Sequence, residues 1–149
     1  MDYRSTLSSA QDFSMNGKLE DWVHAYLLSD GNNEEFSRGL KMVNRFYIGP
    51  LKMPLSLFSR CCGPEENMKW RVNAAGFEQK VNQLEEVMKN EDDLPPLIVN
   101  YVDGRFDLSD GNHRYEAATR LGIKEKYVII WITDKQDYDL FQTKYSEYL

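Results

Sequence analysis

The chain has 149 residues, of which 42% are hydrophobic, and its formal net charge at pH 7 is −6. This length fits one domain that can bury a core without disulfides, and no segment is apolar enough to predict a membrane span or a signal peptide. The acidic charge disfavours broad nucleic-acid binding, which depends on lysines and arginines that neutralise phosphates.

The first 44 residues predict a helical extension packed on the rest of the chain. Residues 1–16 are polar and predict a loose start. Apolar residues from Leu19 to Leu27 recur at helical spacing, and residues 33–43 predict a second, shorter helix.

Residues 45–149 predict a small α+β domain with a short mixed sheet flanked by helices. The patterns indicate, in chain order, a strand at 45–49 that ends at Gly49-Pro50, an irregular connector, an amphipathic helix from Phe77 to Met88, strands at 97–102 and 105–108, a helix at 113–122, a buried strand at 126–132 and a last helix. The strands at 97–102 and 105–108 are expected to form a hairpin, because Asp103-Gly104 is a strong two-residue turn signal.

The two cysteines, Cys61 and Cys62, are adjacent in the connector. Neighbouring cysteines do not easily reach disulfide geometry, and no cysteine or histidine cluster has metal-ligand spacing. This pattern favours reduced thiols and therefore a cytoplasmic protein.

The segment SDGNHRYE, residues 109–116, predicts a strand that ends in a tight turn and is followed by a helix. The first amide groups of such a helix lack intrahelical partners, and the helix dipole adds positive charge there. We expect Gly111 to let a ligand approach the backbone, and His113 and Arg114 to donate hydrogen bonds to a phosphate. The segment therefore predicts an anion-binding site formed by Gly111, Asn112, His113 and Arg114.

Asp110 is an unexpected member of such a site, because a carboxylate repels an anion. Its presence is explained if it binds Mg²⁺ on a phosphate, accepts a proton from an attacking hydroxyl, or orients His113. The alternative is that Asp110-Gly111-Asn112 supplies only turn and cap chemistry, with His113 partly buried and Arg114 solvated.

The connector adds two carboxylates, Glu65 and Glu66, in a loop that Gly63-Pro64 stiffens. Glu66 is a candidate catalytic base or metal ligand, and the alternative is a solvated loop charge. Arg60 and Arg71 flank this loop, and each either reaches a phosphate or has an exposed structural role.

The residues LPPLIV, DGRFDLSDGNHRYEAATRLG and YVIIWI together resemble the ParB/sulfiredoxin superfamily. The resemblance covers about residues 45–133, and residues 1–44 have no counterpart in it. It implies that the turn binds the phosphates of a nucleotide. We therefore expect ATP, ADP or CTP with Mg²⁺ as the ligand, and Asp110 as the candidate metal ligand or base.

Three branches of the superfamily carry different expectations. Sulfiredoxins have a catalytic cysteine directly before His-Arg, where this chain has Asn112, so peroxiredoxin repair is not expected. ParB partition proteins bind CTP and continue into a DNA-binding domain, for which a chain that ends at Leu149 leaves no room. Free serine kinase transfers phosphate from ADP to a small hydroxyl compound, and Asp110 and Gly111 fit its pattern, whereas Asn112 differs.

We therefore expect a kinase-like phosphotransferase to a small molecule, or a nucleotide hydrolase, with Asp110, His113 and Glu66 as catalytic candidates. The alternative is a non-enzymatic, nucleotide-sensing or DNA-associated module that acts with a partner chain or as a homo-oligomer. DNA binding by this chain alone is not expected, and the acidic charge also disfavours a nuclease.

Overall fold

The computed structural model describes residues 1–149 and contains six helices and seven strands. The helices are α1 (Leu7–Met15), α2 (Leu19–Leu28), α3 (Glu34–Leu40), α4 (Ala74–Asn90), α5 (Asn112–Arg120) and α6 (Lys135–Lys144). The strands are β1 (Phe46–Pro54), β2 (Phe58–Arg60), β3 (Cys62–Gly63), β4 (Trp70–Arg71), β5 (Leu97–Val102), β6 (Arg105–Asp110) and β7 (Glu125–Ile132). None of the helices has the length and hydrophobicity of a bilayer-spanning segment.

Five strands form a mixed sheet in the order β1-β7-β5-β6-β2, and β3 pairs with β4 in a separate two-stranded ribbon. Strand β5 is parallel to β7, and β2 is parallel to β6, while the β1–β7 and β5–β6 pairs are antiparallel. The predicted α+β class with a mixed sheet flanked by helices is confirmed.

The predicted hairpin joins β5 to β6 through Asp103 and Gly104, whose φ angles are 50° and 78°. Positive φ at both positions is what a two-residue turn needs to match the twist of the strands. The hairpin directs β6 into α5, so its turn fixes where α5 begins.

The two faces of the sheet are covered by different parts of the chain. One face packs against α6, with Val99, Tyr101 and Phe141 fully buried in a shared cluster. The opposite face packs against α1 and α2, where Ile98 and Ile129 join a cluster that includes Trp22 and Leu27. Because sheet residues belong to the cluster of the N-terminal helices, the division into 1–44 and 45–149 stays a prediction.

Residues 1–16 differ from the expected loose start, because residues 7–15 form α1. The Thr6 side chain caps this helix by accepting a hydrogen bond from the amide of Ser9 at 3.1 Å, and Ala10 and Phe13 are buried. A polar sequence thus forms a helix because two apolar residues, three positions apart, pack on α2.

The region from residue 45 to residue 73 also contains more strand than expected. Strand β1 continues past Gly49-Pro50 to Pro54, with a register shift between Ile48 and Leu51. The connector contains β2, β3, β4 and a short 3-10 turn at Leu55–Leu57. This strand structure positions the connector beside the beginning of α5.

Candidate ligand-binding groove

A groove with a volume of about 870 Å³ lies on the same sheet face as α1 and α2, in the part of that face that these helices leave uncovered. Its floor is formed by polar and aromatic side chains of β5, β6 and β7, namely Asn100, Asp107, Ser109 and Trp131. Its walls come from the start of α3, the connector around Cys61 and Lys69, helix α4 through Lys80, and the turn at Gly111–His113. The groove is within the usual size range of small-molecule sites, about 300–1,000 Å³.

The predicted turn opens into this groove. The first backbone hydrogen bond of α5 is donated by the Tyr115 amide to the Gly111 carbonyl at 2.8 Å. The amides of Asn112, His113 and Arg114 therefore precede the intrahelical ladder, where the helix carries partial positive charge. The groove thus has an electropositive backbone at one end.

Gly111 is required for a different reason from the one expected. Its φ angle is 97°, and a Cβ at this position would lie 2.6 Å from Leu97 Cδ2 and 2.9 Å from Arg114 Nη2. The missing side chain makes room for the protein's own Leu97 and Arg114 rather than for a ligand. The glycine sets the angle at which β6 enters α5.

Arg114 differs from both sequence-based expectations, since it neither lines the groove nor is solvated. Only 8% of the residue is exposed. Its guanidinium donates hydrogen bonds to the carbonyl oxygens of Pro95 and Pro96 and to Asp110 Oδ2 at 3.0 Å. A role for its side chain in phosphate binding remains a prediction, and the contacts assign it to holding the turn.

Asp110 lies between this buried arginine and the groove. It lines the groove, and 14% of its side chain is exposed. Burial raises the pKa of Asp110, while the charge of Arg114 and a hydrogen bond from the Tyr26 hydroxyl oppose this shift. Asp110 is therefore the carboxylate with the best access to the turn and with an increased affinity for a proton.

Asn112 contributes its amide to the turn, while its side chain is occupied. Its Oδ1 accepts hydrogen bonds from the amides of Cys61 and Cys62 at 2.8 and 3.1 Å, and its Nδ2 donates to the Leu108 carbonyl. Only 7% of the residue is exposed. Asn112 therefore ties the connector to the start of α5.

His113 is half-buried at the groove and packs against Phe77, with 4.8 Å between the ring centroids. Burial, together with the positive charges of Lys80 and Arg60, lowers its pKa to about 4. The imidazole is therefore neutral at pH 7, which leaves one nitrogen to donate and one to accept a hydrogen bond. Burial is the main cause of this low pKa, and the positive charges of Lys80 and Arg60 add to it.

The two cations near His113, Arg60 and Lys80, differ in whether they are paired with carboxylates. Arg60 is paired with Glu65 at 2.6 Å and Glu116 at 3.4 Å, and its guanidinium also lies over the Phe77 ring. Lys80 lines the groove and forms no ion pair with any residue of the chain. Of these two cations beside His113, Lys80 is thus the one more available to an anionic ligand.

Glu66, a catalytic candidate from the sequence, is exposed and does not line the groove. The structure brings Asp110 and His113 to the groove but does not place Glu66 with them. No group of three or more His, Cys, Asp or Glu side chains is arranged to hold a metal ion. Asp110 therefore has no partner ligands for a protein-only Mg²⁺ site.

The cysteines lie on the groove wall, but their environment does not activate them. Burial raises the pKa of both Cys61 and Cys62. Since the thiolate is the nucleophilic form, neither residue has the properties of a catalytic thiol.

Sequence reasoning missed Lys80 and the floor of the groove. Lys80 follows the buried Phe77 by three positions on α4, so it lies on the margin of the buried face, next to His113. That spacing was the available signal. The floor residues belong to strands that meet only in the folded sheet, and no local pattern marks them.

Residues 68–141 match the family model described as the ParB N-terminal domain. No curated protein matches the chain. Sulfiredoxin from Arabidopsis thaliana is similar at 26% identity and a TM-score of 0.45, over 63% of this chain and 93% of the sulfiredoxin chain.

Two structures of C-terminally truncated chromosome-partitioning protein ParB from Caulobacter crescentus are also similar. One, complexed with CTP-gamma-S, is 15% identical with a TM-score of 0.44, over 71% of this chain and 54% of that chain. The other, complexed to the centromeric parS site, is 16% identical with a TM-score of 0.40, over 64% and 58%. The chain thus spans little more than half the length of these ParB chains. The family match confirms the predicted resemblance to the ParB/sulfiredoxin superfamily: residues 68–141 belong to the ParB N-terminal domain family.

Proposed function

We propose that the groove binds a nucleotide whose phosphates lie at the start of α5, and that the protein transfers a phosphoryl group to a small molecule or hydrolyses the nucleotide. The observation that carries this proposal is the convergence of the α5 amides, the neutral His113 and the unpaired Lys80 at one end of the groove. The first turn of a helix, with its free amides and a lysine nearby, is suited to binding phosphate groups. A CTP-gamma-S complex of a related ParB supports a nucleotide as ligand.

The phosphate contacts follow from which groups are free. Arg114 and the Asn112 side chain are engaged within the protein, so they hold the turn in place. The backbone amides, a His113 nitrogen and Lys80 would contact the phosphate oxygens. This assignment replaces the expected Arg114 contact with one from Lys80.

The chemistry would use groups held in place before the ligand arrives. Phosphoryl transfer is accelerated mainly by donors that stabilise charge on the transferred group, and the α5 amides and Lys80 would supply them. Asp110 would accept the proton of the attacking hydroxyl or water, and its raised pKa suits a base. His113 would donate a hydrogen bond to a phosphate oxygen.

Mg²⁺ would bind with the nucleotide rather than before it. Three acidic residues, Glu35, Asp107 and Asp110, line the groove, and Asp110, the one at the turn, is already bonded to Arg114. Proteins commonly hold Mg²⁺ by one or two carboxylates together with substrate phosphates and water. Asp110 would therefore either act as the base or complete the coordination of an ion that the phosphates bring, and that ion would offset phosphate charge.

Calorimetric titration with ATP, ADP and CTP, each with Mg²⁺, tests the proposal. The wild type should bind at least one of the three, and Lys80→Ala should weaken that binding about tenfold or more, the loss expected for a charge-assisted hydrogen bond. Lys89→Ala is the matched control, because Lys89 lies on the same helix, bonds to Glu86 and does not line the groove. No binding of any nucleotide, or equal binding by both variants, would contradict the proposal.

A turnover assay separates the enzyme from the non-enzymatic module. Hydrolysis of the nucleotide to inorganic phosphate, or transfer of its terminal phosphoryl group to a small hydroxyl compound with release of the shortened nucleotide, should be lost in Asp110→Asn while nucleotide binding persists. Binding without any turnover would favour the sensing module instead. A gel-shift with duplex DNA at physiological salt then tests whether such a module binds DNA alone.

A further inference from the structure

We propose that the end of the groove away from α5 binds the nucleobase, and that Phe36 and Asn100 determine which base is accepted. This inference rests on the proposed nucleotide function and extends it to the choice of nucleotide. Phe36 belongs to α3, in the N-terminal helices that lie outside the ParB N-terminal match. The N-terminal helices would then contribute to ligand selection.

The size of the groove shows that phosphates alone would not fill it. Asn100 pairs with Trp131 on β7 and with Asp107 on β6, so these three side chains lie side by side on one face of the sheet. With strands about 4.8 Å apart, this floor is about 10 Å wide. Asp107 precedes Asp110 by three residues, which places the floor about 10 Å along β6 from the turn. A ribose with its phosphates would bridge that separation.

An aromatic pair forms one side of this end. The Phe36 and Trp131 rings have centroids 5.8 Å apart and are inclined by 57°. Trp131 is held in place, because its Nε1 donates to Ser109 Oγ at 2.9 Å and the Arg45 guanidinium lies over its ring. Phe36 therefore packs on a fixed indole at the groove wall, where its ring can contact a flat heterocycle.

The floor also offers an unused amide. Asn100 is half-buried in the floor, and its side chain forms no hydrogen bond within the protein. A carboxamide carries both donors and acceptors, and the edge of a nucleobase does the same. Ligand discrimination is strongest where a partly buried polar group would be left unpaired by the wrong ligand. Asn100 meets this condition.

Binding of inorganic tripolyphosphate compared with that of ATP, GTP, CTP and UTP, all with Mg²⁺, tests the inference. The wild type should bind one nucleotide at least tenfold more tightly than tripolyphosphate. Phe36→Ala should weaken binding of the preferred nucleotide about tenfold, as loss of one stacking ring does. It should leave the affinity for tripolyphosphate within twofold of the wild-type value. Asn100→Ala should instead reduce the difference among the four nucleotides.

Controls separate this inference from the proposed function. Met42→Ala changes an exposed residue just after α3 and should leave every affinity unchanged. Lys80→Ala should weaken the binding of tripolyphosphate and of the nucleotides by similar factors. If tripolyphosphate binds and no nucleotide binds more tightly, or if Phe36→Ala and Asn100→Ala leave the nucleotide affinities unchanged, base recognition here is overturned while phosphate binding stands. If neither tripolyphosphate nor any nucleotide binds, both proposals are overturned.

Discussion

The Arg114 guanidinium lies 3.0 Å from the Asp110 carboxylate, and the two side chains are only 10% and 14% exposed. The pair spans the turn that connects β6 to α5, and Arg114 also bonds to the carbonyls of Pro95 and Pro96 at the entrance to β5. Arg114 therefore links two parts of the chain that must meet for the groove to form.

Removing this arginine should destabilise the protein strongly. Arg114→Ala leaves the buried Asp110 carboxylate without its partner, a change that typically costs about 3–5 kcal/mol. Arg38→Ala is the control, because its pairing with Glu34 is 3.7 Å long and exposed to solvent, and it should cost less than about 1 kcal/mol. Urea denaturation measures both. Similar losses in the two variants would show that Arg114 is not structural.

Gly104 and Gly111 both have left-handed φ angles, so comparing their alanine variants distinguishes the cost of backbone strain from the cost of steric crowding. Gly104→Ala places a Cβ in open space, so we expect only the backbone cost of about 1–2 kcal/mol. Gly111→Ala adds a collision with Leu97 and Arg114, which should cost about 1–3 kcal/mol more. The difference between their free energies of unfolding is the measurement. A Gly111→Ala variant as stable as Gly104→Ala would refute the close packing at the turn.

The Asn112 side chain should control the order of the connector. Asn112→Ala leaves the Cys61 and Cys62 amides without their acceptor, at a cost of about 1–3 kcal/mol for a buried unpaired group. Asn112→Asp keeps the acceptor and should be closer to the wild type. Hydrogen exchange at the two amides gives a local readout. Unchanged protection in Asn112→Ala would mean that other contacts hold the connector.

The pKa of His113 predicts a pH dependence. The chain has two histidines, so each can be followed by NMR, and His113 should titrate near 4 rather than near 6.5. The unfolded chain takes up this proton near pH 6.5 and the folded chain only near pH 4, so His113 should lower stability as pH falls between these values. His113→Asn should lose this part of the pH dependence. A midpoint near 6.5 would contradict the burial of the imidazole beside Lys80 and Arg60.

Much of the fold was predictable, because the apolar spacing of α2 and α4 and the Asp103-Gly104 turn are local signals. Helix α1 was missed since its stability comes from Ala10 and Phe13 packing on α2, which no local pattern shows. The continuation of β1 past Gly49-Pro50 was missed for the same kind of reason, because pairing with β7 extends the strand.

The sequence indicated the turn that borders the groove, but not which of its side chains face the groove. The turn at Asp110–Arg114 does open into a groove, and the position of His113 at its edge follows from the helix start. The burial of Arg114 depends on Pro95 and Pro96, which are distant in sequence, so its direction was not predictable. Lys80 lies beside the turn because α4 packs against α5, and this packing was not predictable from the local sequence.

The most direct test is NMR observation of the backbone amides of Asn112, His113 and Arg114 during titration with tripolyphosphate and Mg²⁺. We predict that these amides show the largest shifts in the spectrum, that the pKa of His113 rises in the complex, and that Lys80→Ala reduces both effects. Shifts concentrated elsewhere in the chain, or none at any concentration, would contradict a phosphate site at the start of α5.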